Sequence, residues 1–107
     1  MISTYELEEV FGGRIAELRI AKGVSAREMS LAIGQGPAYI NTIENRKAYP
    51  SMNGFFYICE YLNITPRDFF DFNSREPERL NEIINDMKFL TPRQLECIGV
   101  IVKDLKR

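Results

Sequence analysis

The chain has 107 residues, a formal net charge of −1 at pH 7 and two cysteines. This length supports one compact core with a modest extension and is short for two independent globular domains. The small net charge excludes a surface that is basic throughout, but it permits a local basic face. Residues 14–47 carry six basic and three acidic side chains, so this part of the chain is net positive by three.

The composition also limits the chemistry. The chain has no histidine, its cysteines and carboxylates lack the spacing of a metal site or a nucleophilic catalytic group, and its glycines do not form a phosphate-binding loop. We therefore expect no enzyme, no cofactor and no metal. Cys59 and Cys97 lie in apolar helical patterns, which predicts packed free thiols and a cytoplasmic protein. No apolar run approaches the length that spans a bilayer, so no membrane partner is expected.

Apolar residues recur at a helical period along nearly the whole chain, which predicts an all-α fold. The first helix runs from Ser3 or Thr4 to Lys22. The adjacent glycines at positions 12 and 13 leave open whether this stretch is one helix or two shorter ones.

Residues 31–51, L-A-I-G-Q-G-P-A-Y-I-N-T-I-E-N-R-K-A-Y-P-S, predict a helix end, a glycine-containing turn and a second short helix. The capping box S-A-R-E at 25–28 starts the earlier helix, and Gly34 ends it. The second helix is predicted to start at Pro37, because proline at a first helical position sacrifices no hydrogen bond. It should end near Asn45.

The outward face of this second helix is small, polar and nearly uncharged. At about 100° per residue, Ile40 and Ile43 share one side of the helix. The opposite side carries Ala38, Asn41, Thr42 and Asn45. Such side chains can hydrogen-bond base edges or touch a thymine methyl group. The alternative is an exposed polar face without a role, although such a face more often carries Lys and Glu pairs.

Basic residues flank this face. Arg27 lies before the turn, and Arg46 and Lys47 follow the second helix, where they could contact phosphates on either side of an inserted helix. Backbone N–H groups near Ser25 and Gly36 would add anion contacts. The pattern predicts double-stranded DNA as the partner.

Two further helices complete the predicted core. Ser51 caps the first, and Thr65 opens the second. Their predicted core side chains are Met52, Phe55, Phe56, Cys59, Leu62, Phe69, Phe70 and Phe72. The polar stretch N-S-R-E-P-E-R then predicts a boundary between residues 1–72 and a C-terminal helical hairpin, residues 73–107.

The hairpin comprises a helix over 77–88 and a last helix capped by Thr91. Its apolar seam consists of Leu80, Ile84, Met87, Leu95, Ile98, Val102 and Leu105. A seam of four turns needs a partner to be stable. Either it forms a homodimer interface, or both helices fold back on the domain.

Residues 15 to about 70 resemble the helix-turn-helix domain of the lambda-repressor and Cro-like family, also called the xenobiotic-response-element type. The resemblance rests on L-R-I-A-K-G-V-S, R-E-M-S-L-A-I-G and, above all, Y-I-N-T-I-E-N-R-K-A-Y-P-S. It implies a five-helix DNA-binding domain in a sequence-specific transcriptional regulator. It further implies a dimeric repressor that inserts the Pro37–Asn45 helix into the major groove of a near-palindromic operator.

The resemblance also implies roles for individual residues. Arg19 is expected to pair with Glu44 and brace the reading helix. Tyr39 either faces a phosphate or packs on Ile43. The expected base-facing set is Gln35, Gly36, Pro37, Ala38, Asn41, Thr42 and Asn45, and the expected phosphate-facing set is Ser25, Arg27, Tyr39, Arg46 and Lys47. The sequence departs from the family where Ala26 replaces a common glutamine and Arg46 replaces the usual glycine.

These departures keep a second function open. A protein-interaction adaptor or antitoxin-like module on the same fold would bind a protein partner and bind DNA weakly or without specificity. Leu31, an apolar residue expected on the surface, and the C-terminal seam would serve such contacts.

Overall fold

The computed structural model describes residues 3–107, except for the side chain of Tyr5, and these residues form seven α-helices without a strand. The helices are α1 (Thr4–Lys22), α2 (Ala26–Ala32), α3 (Tyr39–Glu44), α4 (Met52–Leu62), α5 (Pro66–Phe70), α6 (Pro77–Met87) and α7 (Pro92–Leu105). The predicted all-α class, with five helices followed by a helical extension, is confirmed.

Local capping explains most of the boundaries. Capping boxes start α1, α2, α5 and α7, because in each the N-cap hydroxyl accepts from the third residue's backbone N–H and that residue's side chain accepts in return. Ser51 caps α4, and Gly23 ends α1 in the left-handed conformation.

The glycine pair does not split α1, which is one continuous helix. Gly12 instead allows α1 to lie directly against the end of α3. A β-carbon at position 12 would lie 2.9 Å from the carbonyl oxygen of Glu44 and 3.0 Å from that of Ile43. Gly12 is therefore a packing residue that fixes the distance between α1 and α3.

The core lies among α1 to α5. It consists of Phe11, Ile15, Leu18, Met29, Ile40, Ile43, Phe55, Ile58, Cys59, Leu62, Ile64 and Phe69. Two residues predicted for the core face of α4 are exposed instead, Met52 at 70% and Phe56 at 49%. The buried row is narrower than predicted, because Phe55, Ile58, Cys59 and Leu62 already fill it at helical spacing. Phe70 and Phe72 also remain about half exposed beside the buried Phe69.

The two cysteines differ. Cys59 is buried, and desolvation raises the pKa of its thiol to about 11, as expected for an inert packed side chain. Cys97 is exposed on α7, so its predicted packing inside a helical core is wrong for the single chain.

A buried arginine joins the core to the segment before α6. Arg14 is 3% exposed, and all five N–H donors of its guanidinium are used. It donates to the carbonyl oxygens of Phe69 (2.6 Å), Ser74 (2.7 Å), Asp68 (2.8 Å) and Asp71 (2.9 Å), and to the carboxylate of Glu17. The end of α5 and the loop to residue 74 are therefore held by one side chain.

Besides the Arg14 bond to Ser74, contacts from the first turns of α6 attach the C-terminal helices to the core. Pro77 is buried, Lys22 pairs with Glu78 at 3.4 Å, and the Asn81 amide donates to Asp68 at 3.0 Å. By contrast, α7 has no buried residue. The radius of gyration is 16.6 Å, against about 13 Å for a compact domain of this length. The two C-terminal helices, α6 and α7, therefore project from the core.

The predicted seam residues lie on this projection. Leu80, Ile84, Leu95, Ile98, Val102 and Leu105 are exposed, and Met87 is half-buried. Within the described residues, no helix is long and apolar enough to cross a membrane, and no group of side chains has the composition of a metal site.

Candidate nucleic-acid interface

The candidate reading helix, α3, starts two residues later than predicted. Pro37 and Ala38 form a turn, and the helix begins at Tyr39, whose N–H bonds to the carbonyl of Gly36 at 3.1 Å. Ala38 occupies the N-cap position and offers no side-chain acceptor. The prediction that Pro37 occupies the first helical position is therefore wrong.

A buried serine on α2 supplies the missing cap. Ser30 is fully buried, and its hydroxyl oxygen accepts from the backbone N–H of Ile40 at 2.9 Å. The same hydroxyl donates to the carbonyl of Ala26 at 2.7 Å. Because both of its hydrogen bonds are internal, Ser30 fixes the start of α3 relative to α2 without using the exposed surface.

The predicted base-facing residues lie in the turn after α2, on α3 and at the C-cap of α3. Gly34 has a φ of 76°, a left-handed conformation that lets the chain leave α2 sharply. Gln35 to Ala38 lie in the turn, Asn41 and Thr42 lie on α3, and Asn45 is its C-cap. All of them are exposed except Gln35 and Thr42, which are half-buried.

The hydroxyl group of Thr42 already makes a hydrogen bond within the reading helix. Its hydroxyl donates to the carbonyl oxygen of Ala38 at 2.8 Å. The hydroxyl proton is therefore unavailable to a base, while the oxygen lone pairs and the methyl group remain.

An ion pair between Arg19 on α1 and Glu44 on α3 holds α3 against α1. Arg19 Nε donates to Glu44 Oε2 at 2.7 Å, and Arg19 Nη2 donates to Glu44 Oε1 at 3.0 Å. A third bond, from Nη1 to the carbonyl of Val24 at 3.0 Å, also holds the loop before α2. The hydrogen bond to Glu44 raises the pKa of Arg19. This two-pronged contact between mostly buried partners fixes the rotation of α3 about its axis.

The residues predicted to face phosphates have different surroundings. Arg27, Arg46 and Lys47 are exposed. The hydroxyl of Ser25 is engaged at the start of α2, where it accepts from Glu28 N–H at 3.0 Å. Arg46 has a φ of 64°, so a non-glycine residue occupies the left-handed turn after α3.

Tyr39 packs inward. Its ring lies against the core, and its phenol oxygen lies so close to Gly54, in the first turn of α4, that a β-carbon there would be 2.5 Å away. Desolvation raises the pKa of Tyr39. This position favours the packing interpretation over a phosphate contact.

Comparison with models of known protein families identifies the domain that contains these helices. The model of a helix-turn-helix family, of the lambda-repressor and Cro-like type, matches residues 15–69, about half of the chain. The chain belongs to that family. It therefore contains a helix-turn-helix DNA-binding domain, in which α2 and α3 are the two helices of the motif. Searches of curated proteins and of solved structures found no significant match.

Two residues of this helix-turn-helix domain escaped the sequence analysis. Ser30 and Arg14 both act through backbone atoms of distant segments, which carry no signature in side-chain patterns. A serine inside an apolar helix and an arginine inside an apolar stripe were the only signals. Both are polar residues at positions where helical periodicity predicts burial.

Proposed function

We propose that the protein is a sequence-specific transcriptional regulator that binds a near-palindromic operator as a homodimer and acts as a repressor. Each protomer inserts α3 and the turn before it into the major groove. The observation that carries this proposal is the exposed, uncharged face of Asn41 and Asn45 flanked by the exposed cations Arg27, Arg46 and Lys47. Amides read base edges, whereas cations hold phosphates, so this arrangement separates specificity from affinity.

The dimer forms through the hairpin, residues 73–107. Helix α7 has 14 residues, an apolar stripe and no buried residue. A helix of this length is marginal in water without a packing partner. A second copy of the same hairpin is the simplest partner, because a two-fold interface pairs the same surface on both protomers and matches the symmetry of a palindrome.

Dimerisation also supplies affinity that one domain lacks. The reading surface offers few long polar side chains, since Pro37 and Ala38 lie at its front and the Thr42 proton is engaged within α3. Linking two weak sites raises overall affinity by about 10² to 10⁴ when both can be occupied together.

The direct test is selection from a pool of random duplexes by the purified protein at two salt concentrations, followed by sequencing of the bound DNA. We expect enrichment of a palindrome whose half-sites are about one helical turn apart. Binding that is flat across sequences would contradict sequence-specific regulation.

Two single variants then separate base contacts from phosphate contacts. Asn41→Ala should cost about 1–3 kcal/mol on the selected site and little on random DNA. Arg46→Ala should weaken binding to all sequences alike and reduce the salt dependence. Equal losses on every sequence for both variants would contradict base reading by α3.

One observation favours a second candidate function, a protein-interaction adaptor. Leu31 on α2 is 50% exposed. The residues that follow it, Ala32 and Ile33, line an open depression together with Tyr57, Glu60 and Tyr61. Under this alternative, flat DNA binding would be accompanied by a protein complex that Leu31→Asp abolishes and Asn41→Ala leaves intact.

A further inference from the structure

The front of the reading surface contains an open apolar depression. Its volume is about 400 Å³, and it lies between the start of α3 and the loop that follows the helix. The turn contributes Gly36, Pro37 and Ala38, α3 contributes Tyr39, Thr42 and Ile43, and the loop contributes Ala48 and Tyr49. Its walls are mainly hydrocarbon at a place where a DNA-reading surface would be expected to present hydrogen-bonding groups.

Several polar atoms at the start of α3, beside this depression, are already engaged. The Ala38 carbonyl accepts both the backbone N–H of Thr42 at 2.9 Å and its hydroxyl at 2.8 Å. Proline has no N–H to offer, and the N–H of Tyr39 is bonded to Gly36. The apolar groups that the turn and the neighbouring face of α3 contribute to this depression are the ring of Pro37 and the methyl groups of Ala38 and Thr42.

Among the base edges in the major groove, the C5-methyl of thymine is the apolar group. Adenine, guanine and cytosine present only donors and acceptors there, and an apolar wall would leave those groups desolvated and unpaired. An apolar reading surface therefore discriminates for thymine and against bases whose polar edges it would cover.

We infer that the half-site contains a thymine whose methyl edge packs against Pro37, Ala38 and the Thr42 methyl group, so that the operator is read partly by hydrophobic contact. The inference rests on the proposed function and assigns the chemistry of one contact within it. Asn41 and Asn45 would read neighbouring base pairs by hydrogen bonding.

The test replaces each thymine of the selected operator by deoxyuridine, one position at a time, because this change removes only the methyl group. At one position in each half-site the affinity should fall about fourfold, and symmetric replacement in both half-sites should lower it about 15-fold. The other thymines should tolerate replacement.

A protein variant assigns the effect to this depression. Ala38→Gly removes the methyl group that faces the base, and glycine is well tolerated at an N-cap position. In this variant, the preference for thymine over deoxyuridine at the sensitive position should fall well below fourfold, because Pro37 and Thr42 alone contact the methyl group. The matched control is Ala32→Gly, which deletes a methyl group in the other depression, beside Tyr57, and should keep the fourfold preference.

Each other outcome contradicts a distinct step. If the operator is enriched but no deoxyuridine replacement matters, or if the half-site contains no thymine, hydrophobic reading is wrong while sequence-specific binding stands. If Ala38→Gly still prefers thymine fourfold, another residue contacts the methyl group. If no operator is enriched at all, the proposed function itself fails.

Discussion

The helix-turn-helix region and the C-terminal helices use apolar side chains in opposite ways. In α1 to α5, Ile15, Ile40 and Phe69 are completely buried, whereas Ile98 and Val102 on α7 remain exposed. The first region stabilises itself, because it closes a core of its own. The second leaves its apolar side chains exposed in the single chain, and a helix of the length of α7 is marginal in water without a packing partner.

Arg14 lies at the joint between these two regions. It fills its five donors with acceptors on α1, on α5 and in the loop that leads to α6. The direction in which the hairpin leaves the core therefore depends on a residue of the core. In a dimer held by the hairpin, the same joint sets the distance between the two reading helices.

The largest expected effect concerns this joint. Arg14→Met keeps much of the side-chain volume but removes all five hydrogen bonds of the buried guanidinium, four of them to backbone carbonyls, so the free energy of unfolding should fall by about 3–5 kcal/mol. Urea denaturation measures this change. The exposed Arg27→Met variant is the control and should change stability by less than about 0.5 kcal/mol. Equal stability of the two variants would show that the Arg14 bonds contribute nothing net.

The second expected effect concerns the hairpin. Ile98→Asp combined with Val102→Asp places two charges on the seam, so a dimer should become monomeric, and operator affinity should fall about 100-fold, or about 2.7 kcal/mol. Thermal unfolding of the helix-turn-helix core should be nearly unchanged.

Sedimentation measures the oligomeric state of this double variant. Val100→Asp lies on the same helix outside the seam and is the control, which should remain dimeric. Dimers that persist in the double variant, with the core intact, would contradict the seam as the interface.

The third expected effect concerns the close contact between α1 and α3 at Gly12. Gly12→Ala would bring a β-carbon within 2.9 Å of the Glu44 carbonyl, so α1 and α3 must separate, at a cost of about 2 kcal/mol. Gly13→Ala is the matched control, because a β-carbon there meets no atom within 4 Å. It should stabilise the helix by about 0.5–1 kcal/mol. If Gly12→Ala and Gly13→Ala changed the free energy of unfolding by similar amounts, close packing at Gly12 would be contradicted.

The sequence predicted those features that depend on short stretches of chain. The helices and their capping boxes follow from spacing, and the two helices of the motif follow from Gly34 and the apolar positions around it. The start of α3 was predicted wrongly, because Pro37 is a good first helical residue but the cap comes from Ser30, ten residues before Ile40. Patterns of neighbouring residues do not predict a hydrogen bond between two different helices.

Burial was also harder to predict than helix formation. The exposure of Met52 and Phe56 depends on which side of α4 the rest of the core covers, which is decided by tertiary packing. For the candidate site, helical spacing predicted that Asn41 and Asn45 lie on the surface, where they are exposed. The engaged hydroxyl of Thr42 and the apolar depression between the turn and the loop after α3 were not predicted.

The smallest expected effect separates charge from backbone conformation at Arg46. Its φ of 64° costs an L-residue about 1 kcal/mol, so Arg46→Gly should raise the free energy of unfolding by about 0.5–1 kcal/mol, whereas Arg46→Ala should not. Both variants lose the same cation and should therefore lose the same affinity for DNA of every sequence. Urea denaturation and titration with random duplexes measure the two quantities. A protein that gains stability as it loses affinity would indicate that the strained turn is retained because it holds a cation beside the reading helix. Unequal affinities of the glycine and alanine variants would mean instead that the turn conformation, rather than the charge, determines binding.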